Sequence, residues 1–230
     1  MFLEGDGILE TREHTGVITR AYEPRDRPAV RQIACDTADR GEPASIFSDR
    51  EILADALTRY YTDFEPQSLW VAESEGRVIG YLSGCLDDDR YQRLIAWRVV
   101  PAAIVRAIAR GALGRWETWR LLVAMVRTWR SGGFYPRVPL EHYPAHLHVN
   151  IQQGFRGQRI GQQLVARFVE QAQAAGLSGV RVGVHEDNLP ARRFFERMGF
   201  AELGRQPATL PAGNTYRTHH TITFGRRMLH

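Results

Sequence analysis

Two histidines, His146 and His148, stand two apart in AHLHVNI (145–151), alternating with Leu147, Val149 and Ile151. Such alternation belongs to a strand, so the imidazoles share one face and the apolar side chains take the other. An imidazole with an ordinary pKa of about 6.5 exchanges a proton near neutral pH, which makes the pair candidate general bases. They also read as half-buried sheet positions. A metal pair is the third reading, but no third ligand stands at a suitable spacing, so no metal is expected. Glu141, His142 and Tyr143, just upstream, are loop residues that could reach the same place. His185, Glu186 and Asp187 end another strand-like run and could reach it too. His219 and His220 are neighbours in a strand and face opposite ways.

FRGQRIGQQL (155–164) follows the histidine strand and opens a helix. A helix start carries unpaired N–H groups and about half a positive charge, and small residues there let an anion touch the backbone. The glycines at 154, 157 and 161 do not have the spacing of a dinucleotide-binding fingerprint. A lysine-containing phosphate loop is excluded because the chain has no lysine. Arg159 sits in the middle of the turn.

The elements that must hold these residues can be traced along the chain. Residues 1–16 read as a leader. A strand over 16–22 and a helix over about 27–38 follow, then a helix to about 63 with Ser48 as its N-cap. The runs 68–74 and 77–84 flank Glu75-Gly76 and form a hairpin. Residues 86–142 differ in character: four of the five tryptophans lie there among many arginines, and Pro101 suits a helix start. They read as two or three amphipathic helices inserted between the third and fourth strands. Packing on the parent domain or a second subunit, a substrate lid and membrane-surface binding are the readings for this insertion. The pattern then runs strand (145–152), helix (159–175), strand (179–185) and helix (190–198). Two strands, 201–205 and 215–225, close the chain across a Pro/Gly/Asn loop. This order is a mixed α/β arrangement.

Composition narrows the class. The chain has 230 residues, 43% hydrophobic, enough for one generous domain with an insertion. The net charge is +4, and the basic residues alternate with acids and apolars instead of forming a nucleic-acid-binding run. No apolar run approaches the roughly 20 residues of a membrane span. Two cysteines, Cys35 and Cys85, make neither a disulfide framework nor a zinc site, so a reduced, cytoplasmic setting is expected.

Arg156-Gly157-Gln158-Arg159-Ile160-Gly161 resembles the R/Q-x-x-G-x-G/A turn of the GCN5-related N-acetyltransferases (GNATs). Asn188-x-x-Ala191-x-x-Phe194-Phe195-x-x-x-Gly199-Phe200 is similar to a second motif of that family, about 30 residues on. With the element order, the resemblance covers about 17–225, with 86–142 as an extra. It implies a mostly antiparallel central sheet flanked by helices, 17–230 being one domain, and acetyl-CoA as the acetyl donor. It implies that Arg156, Gly157, Gln158, Arg159, Ile160, Gly161 and Gln162 cradle the pyrophosphate. Val149 and Ile151 would offer backbone hydrogen bonds to pantetheine, while Asn188 and Phe195 border the cofactor arm. The fourth and fifth strands would part to form the slot. The arylalkylamine acetyltransferases carry a similar H-x-H on this strand, where it does base work. The implied activity is direct transfer of acetyl to a primary amine of a small molecule or peptide; a homodimer is compatible with it. Two departures stand out. Arg159 replaces the middle glycine: either it is already helical with its amide still serving, or the cofactor site is degraded. Phe195 replaces the usual tyrosine and cannot donate a proton. The alternative is a catalytically silent module that senses acyl-CoA or binds a protein partner.

Overall fold

The computed structural model describes residues 16–39, 41–43, 49–134 and 138–228. Strands β2 (Leu69–Ser74) and β3 (Arg77–Cys85) form the expected hairpin. Glu75 and Gly76 both adopt positive φ, 50° and 74°, the mirror-image turn whose twist matches that of paired strands. β1 (Ile18–Ala21) adds to the outer edge of β2. β4 (Ala145–Ile151), β5 (Gly179–His185), β6 (Ala201–Ala212) and β7 (Thr215–Arg227) complete one sheet in the order β1-β2-β3-β4-β5-β7-β6. Every neighbouring pair is antiparallel except β4 and β5.

That exception creates the site. β4 stays paired with β3 from His146 to Ile151, and β5 with β7 along its whole length. β4 and β5 meet only at Ala145↔Val180 and His146↔Arg181. Beyond His146 the two strands part, which opens the sheet from within.

Helix α6 (Ile160–Ala174) covers one face of the sheet, burying Leu164, Phe168 and Ala172 against Leu147, Val182 and Phe224. Phe168 approaches β3 so closely that a Cβ on Gly84 would lie 2.0 Å from its ring. Fully burying a side chain of this size contributes about 1.5–3 kcal/mol. α7 (Leu189–Arg197) adds Phe195 to the same core. On the opposite face, α1 (Arg27–Asp36) and α2 (Arg50–Asp63) bury Val30, Ile33, Tyr60 and Tyr61 over β2 and β3.

Three further helices separate β3 from β4: α3 (Asp88–Leu94), α4 (Val100–Ala109) and α5 (Trp116–Arg130). Pro101 stands in the first turn of α4, as expected, but no break precedes it. α3 runs into α4 through a wider π-turn at Ile95–Val99, which accommodates a ring that would otherwise clash with the preceding turn.

Two expectations are corrected. The cap of α2 is Asp49, whose side chain accepts from the N–H groups of Glu51 and Ile52; Ser48 lies outside the described residues, as do residues 1–15 of the expected leader. The segment 206–214 is not a loop, since β6 and β7 continue to Ala212 and from Thr215 with only Gly213-Asn214 between them. Pro207 and Pro211 are tolerated because β6 is an edge strand. Its edge is covered by α5, with the Thr209 N–H donating to Thr128 Oγ1 at 2.9 Å.

Candidate active site

His146 is the last β4 residue paired with β5, and it is buried. Its Nδ1 lies 3.1 Å from Asp88 Oδ1 and its Nε2 3.2 Å from the Tyr61 hydroxyl. Asp88 begins α3, a helix started by Asp87, whose side chain accepts from the Arg90 N–H. The same Asp88 oxygen accepts from Arg181 at 2.6 Å, and Arg181 also donates to the Tyr143 carbonyl at 2.7 Å. Desolvation works to raise the Asp88 pKa, but the hydrogen bonds and charges of His146 and Arg181 prevail and hold the carboxyl below its ordinary value. A carboxylate only accepts, so neutral His146 carries its proton on Nδ1, and its bare Nε2 accepts from Tyr61. Desolvation lowers the His146 pKa, the Asp88 hydrogen bond opposes it, and Arg181 reinforces it; the net shift is downward. Tyr61 is pushed well above the usual tyrosine value by desolvation and keeps its proton. The Tyr91 ring stands edge-on to His146 at 4.6 Å.

His148 follows on the same face, its ring 5.9 Å from that of His146 and 6.0 Å from that of Tyr61. Unlike His146 it meets solvent, at the point where the strands have parted. Desolvation between the slot walls, then the charges of His146 and Arg181, lower its pKa. Both imidazoles are neutral at pH 7.

At the other end of β4 the chain turns into α6. Gly157 (φ 83°) and Arg159 (φ 61°) both take the left-handed conformation. Arg159 is therefore not yet helical: it is the N-cap of α6, at a cost of about 1–2 kcal/mol for a residue with a Cβ. Among the described residues no acceptor meets the backbone N–H of Gly157, Gln158, Arg159, Ile160 or Gly161. Successive amides in such a conformation form an anion-binding concavity. The Arg159 side chain is exposed. Gly161 serves packing, for a Cβ there would stand 3.3 Å from both Ile151 and Phe194.

Residues 122–200 match the family model for the acetyltransferase (GNAT) family, a span that contains the turn, the split of β4 from β5 and the second motif. Solved structures share the fold. SsHAT aligns with a TM-score of 0.67 and 24% identity, over 92% of this chain and 98% of its own. An N-acetyltransferase from Staphylococcus aureus Mu50 aligns with a TM-score of 0.58 and 13% identity, over 93% and 99%. The yncA protein of Salmonella typhimurium, solved with its cofactor acetyl-CoA, gives 0.54 and 14%, over 93% and 94%. Residues 122–200 thus match the GNAT family model, and the chain as a whole has the fold of these structures.

Within this GNAT frame several candidate residues take unexpected positions. Tyr143 does not reach the slot: its ring fills the groove left by Gly179 and Gly225, and only its carbonyl joins the network. The Gln162 N–H is taken by the Arg159 carbonyl at 3.0 Å, which removes it from the set of open amides. Arg156 turns away, its guanidinium bonding the carbonyls of Ile151 and Gly41. The Asn188 side-chain oxygen caps α7 by accepting from the Ala191 N–H. Phe195 is buried, edge-on to Phe194 and Phe200. Val149 and Ile151 lie on the stretch of β4 that β5 has left. His142 and Glu141 are exposed on the 3₁₀ turn before β4. His185 and His219 gather around Asp187, with ligand atoms within 4.8 Å of one another, while His220 pairs with Glu186 instead.

Four members of the network were missed: Asp88, Arg181, Tyr61 and Tyr91. Arg181 left a trace, a cation inside the apolar strand VRVGV that must find a partner. Asp88 reads locally as one of three acids at a helix start. Nothing local distinguishes the two tyrosines.

Proposed function

We propose that the chain is an acetyl-CoA-dependent N-acetyltransferase that moves acetyl directly onto a primary amine of a small molecule or peptide, acting in the cytoplasm. Residues 17–230 are taken as one catalytic unit and 86–142 as an addition to it. The observation that carries this reading is the parting of β4 and β5 between an open amide nest and a neutral imidazole. The nest suits a diphosphate because five consecutive N–H groups have no acceptor among the described residues. The freed edge at Val149 and Ile151 suits an extended amide-bearing arm. Bound there, acetyl-CoA supplies a thioester carbonyl.

The chain's own residues then do the proton work. An alkylamine with a pKa of about 10.4 is mostly charged in water, and only its free base attacks. The desolvation that keeps His146 and His148 neutral acts on an amine in the same slot and lowers its pKa too. As the nitrogen's lone pair enters the new bond, one of its two protons becomes acidic and His148 accepts it, the other staying on the amide product. His146 cannot take that part while Asp88 and Tyr61 occupy both its nitrogens; it is a positioning residue behind His148. The departing thiol, with a pKa of about 8.5, needs no more than water as proton source, consistent with Phe195. Cys35 and Cys85 are buried, in keeping with transfer that forms no covalent enzyme intermediate.

Calorimetry with acetyl-CoA, followed by thiol release across a panel of amines, tests the proposal. Saturable binding and release with at least one amine support it; no binding at millimolar acetyl-CoA sinks it. Tight binding with no release across the panel supports the second reading, an acyl-CoA-sensing module, which Phe195 in place of tyrosine favours.

A further inference from the structure

Most of the large hydrophobic side chains that face solvent lie in one segment, α4 and α5 with the turns around them. Trp97, Trp116 and Trp129 are 79%, 71% and 62% exposed. α5 reverses the usual amphipathic order: the residues it buries are small, Ala124 and Thr128, the latter bonded to β6, while its tryptophans look outward. α4 likewise exposes Ile104, Val105 and Ile108. A surface of this kind on a folded chain marks a contact with something else.

Charge decides what that is. Residues 90–134 contain nine arginines and one acid, Glu117. Arg93, Arg98 and Arg130 are exposed and form no ion pair among the described residues. A second copy docked across a two-fold axis would set this cationic surface against itself. An anionic lipid surface complements it instead. Tryptophan is suited to the headgroup level, and arginine reaches phosphates while its stem covers apolar surface. α4 and α5 have 10 and 15 residues, too short to cross a bilayer, and no helix of the described residues is long and apolar enough to do so. Short basic helices with a broad aromatic face lie in the plane of the interface.

We propose that α4 and α5 dock the protein on an anionic lipid surface, lying among the headgroups with their tryptophans inserted. The anionic cytoplasmic leaflet is a surface of this chemistry. The inference is independent of the transfer reaction.

Flotation of the full chain with vesicles tests it, comparing phosphatidylcholine alone with phosphatidylcholine mixed with phosphatidylglycerol. The protein is expected to float with the mixed vesicles only, with a blue shift of tryptophan emission. Raising salt from about 0.1 M to about 0.5 M should release it, since exposed charges are then screened. A Trp97→Gln/Trp116→Gln/Trp129→Gln variant should bind at least about tenfold more weakly. An Arg93→Gln/Arg98→Gln/Arg130→Gln variant should do the same, each variant checked by its circular dichroism melt. Failure to float with either vesicle overturns the proposal, and so does equal binding to both. Light scattering that reports a dimer broken by the tryptophan variant, with no vesicle capture, assigns the face to a second copy and overturns it too.

Discussion

The two faces of β4 form from alternate residues of one strand and do opposite things. Leu147, Val149 and Ile151 pack towards α6, where hydrophobic burial makes the partners interchangeable in kind. His146 and His148 face α2 and α3, and Asn150 shares their side of the strand; there each polar atom needs a particular partner: His146 has Asp88 and Tyr61, and Asn150 donates to the Tyr81 hydroxyl. One face supplies stability through area and the other supplies chemistry through direction. Damage to the first should appear in unfolding and damage to the second in proton transfer.

The sharpest break of that contrast is Phe168→Ala on the apolar side. It should cost about 3–5 kcal/mol by denaturant unfolding, as expected for a buried aromatic truncated in a packed core. A much smaller loss would mean the α6 face is not the main core. Next comes Asp88→Asn, which leaves Arg181 buried without a counter-charge. We expect a loss of a few kcal/mol in stability, together with a kcat decrease and a displaced pH profile at little change in KM. A stability loss with the pH profile unmoved would reduce Asp88 to a structural ion pair.

His148→Ala should lower kcat by about 100-fold or more without weakening acetyl-CoA binding or folding, the scale of a lost general base. If His146→Ala does this and His148→Ala does not, the assignment of roles between the two is reversed. Stability should also depend on pH. His146 and His148 have lowered folded pKa values, so the unfolded chain binds more protons than the folded one once pH drops below about 6.5. Stability should be flat above that point and decline below it. A second decline belongs to Asp88, whose depressed pKa yields stability that is full above about 3.9 and lost as pH falls through the folded value. Melts of the His146→Asn/His148→Asn protein should lack the first decline. The smallest effect is Arg159→Gly, expected to stabilise by about 1 kcal/mol through relief of the left-handed strain while acetyl-CoA binding persists. Lost binding would give the Arg159 guanidinium a direct part in holding the donor.

Much of the frame was legible because its signals are local. Glu75-Gly76 between β-rich runs announced the hairpin, and the apolar steps from Ile160 to Ala172 announced α6. The segment 206–214 misled because its prolines, glycine and asparagine are loop residues anywhere but at a sheet edge. The turn at 157–161 was legible as an anion cradle, yet neither reading of Arg159, already helical or part of a degraded site, included a left-handed N-cap. The strain of a left-handed arginine is tolerated because β4 and α6 dictate the geometry on either side.

By itself the sequence determined which residues share a face of β4 and that a bare backbone turn opens α6, because period and glycine spacing act over a few residues. Only the tertiary structure decided that His146 is gripped and His148 is open. Its partners Asp88 and Tyr61 lie 58 and 85 positions away, and contacts over such separations arise from packing, which leaves no local pattern in the chain.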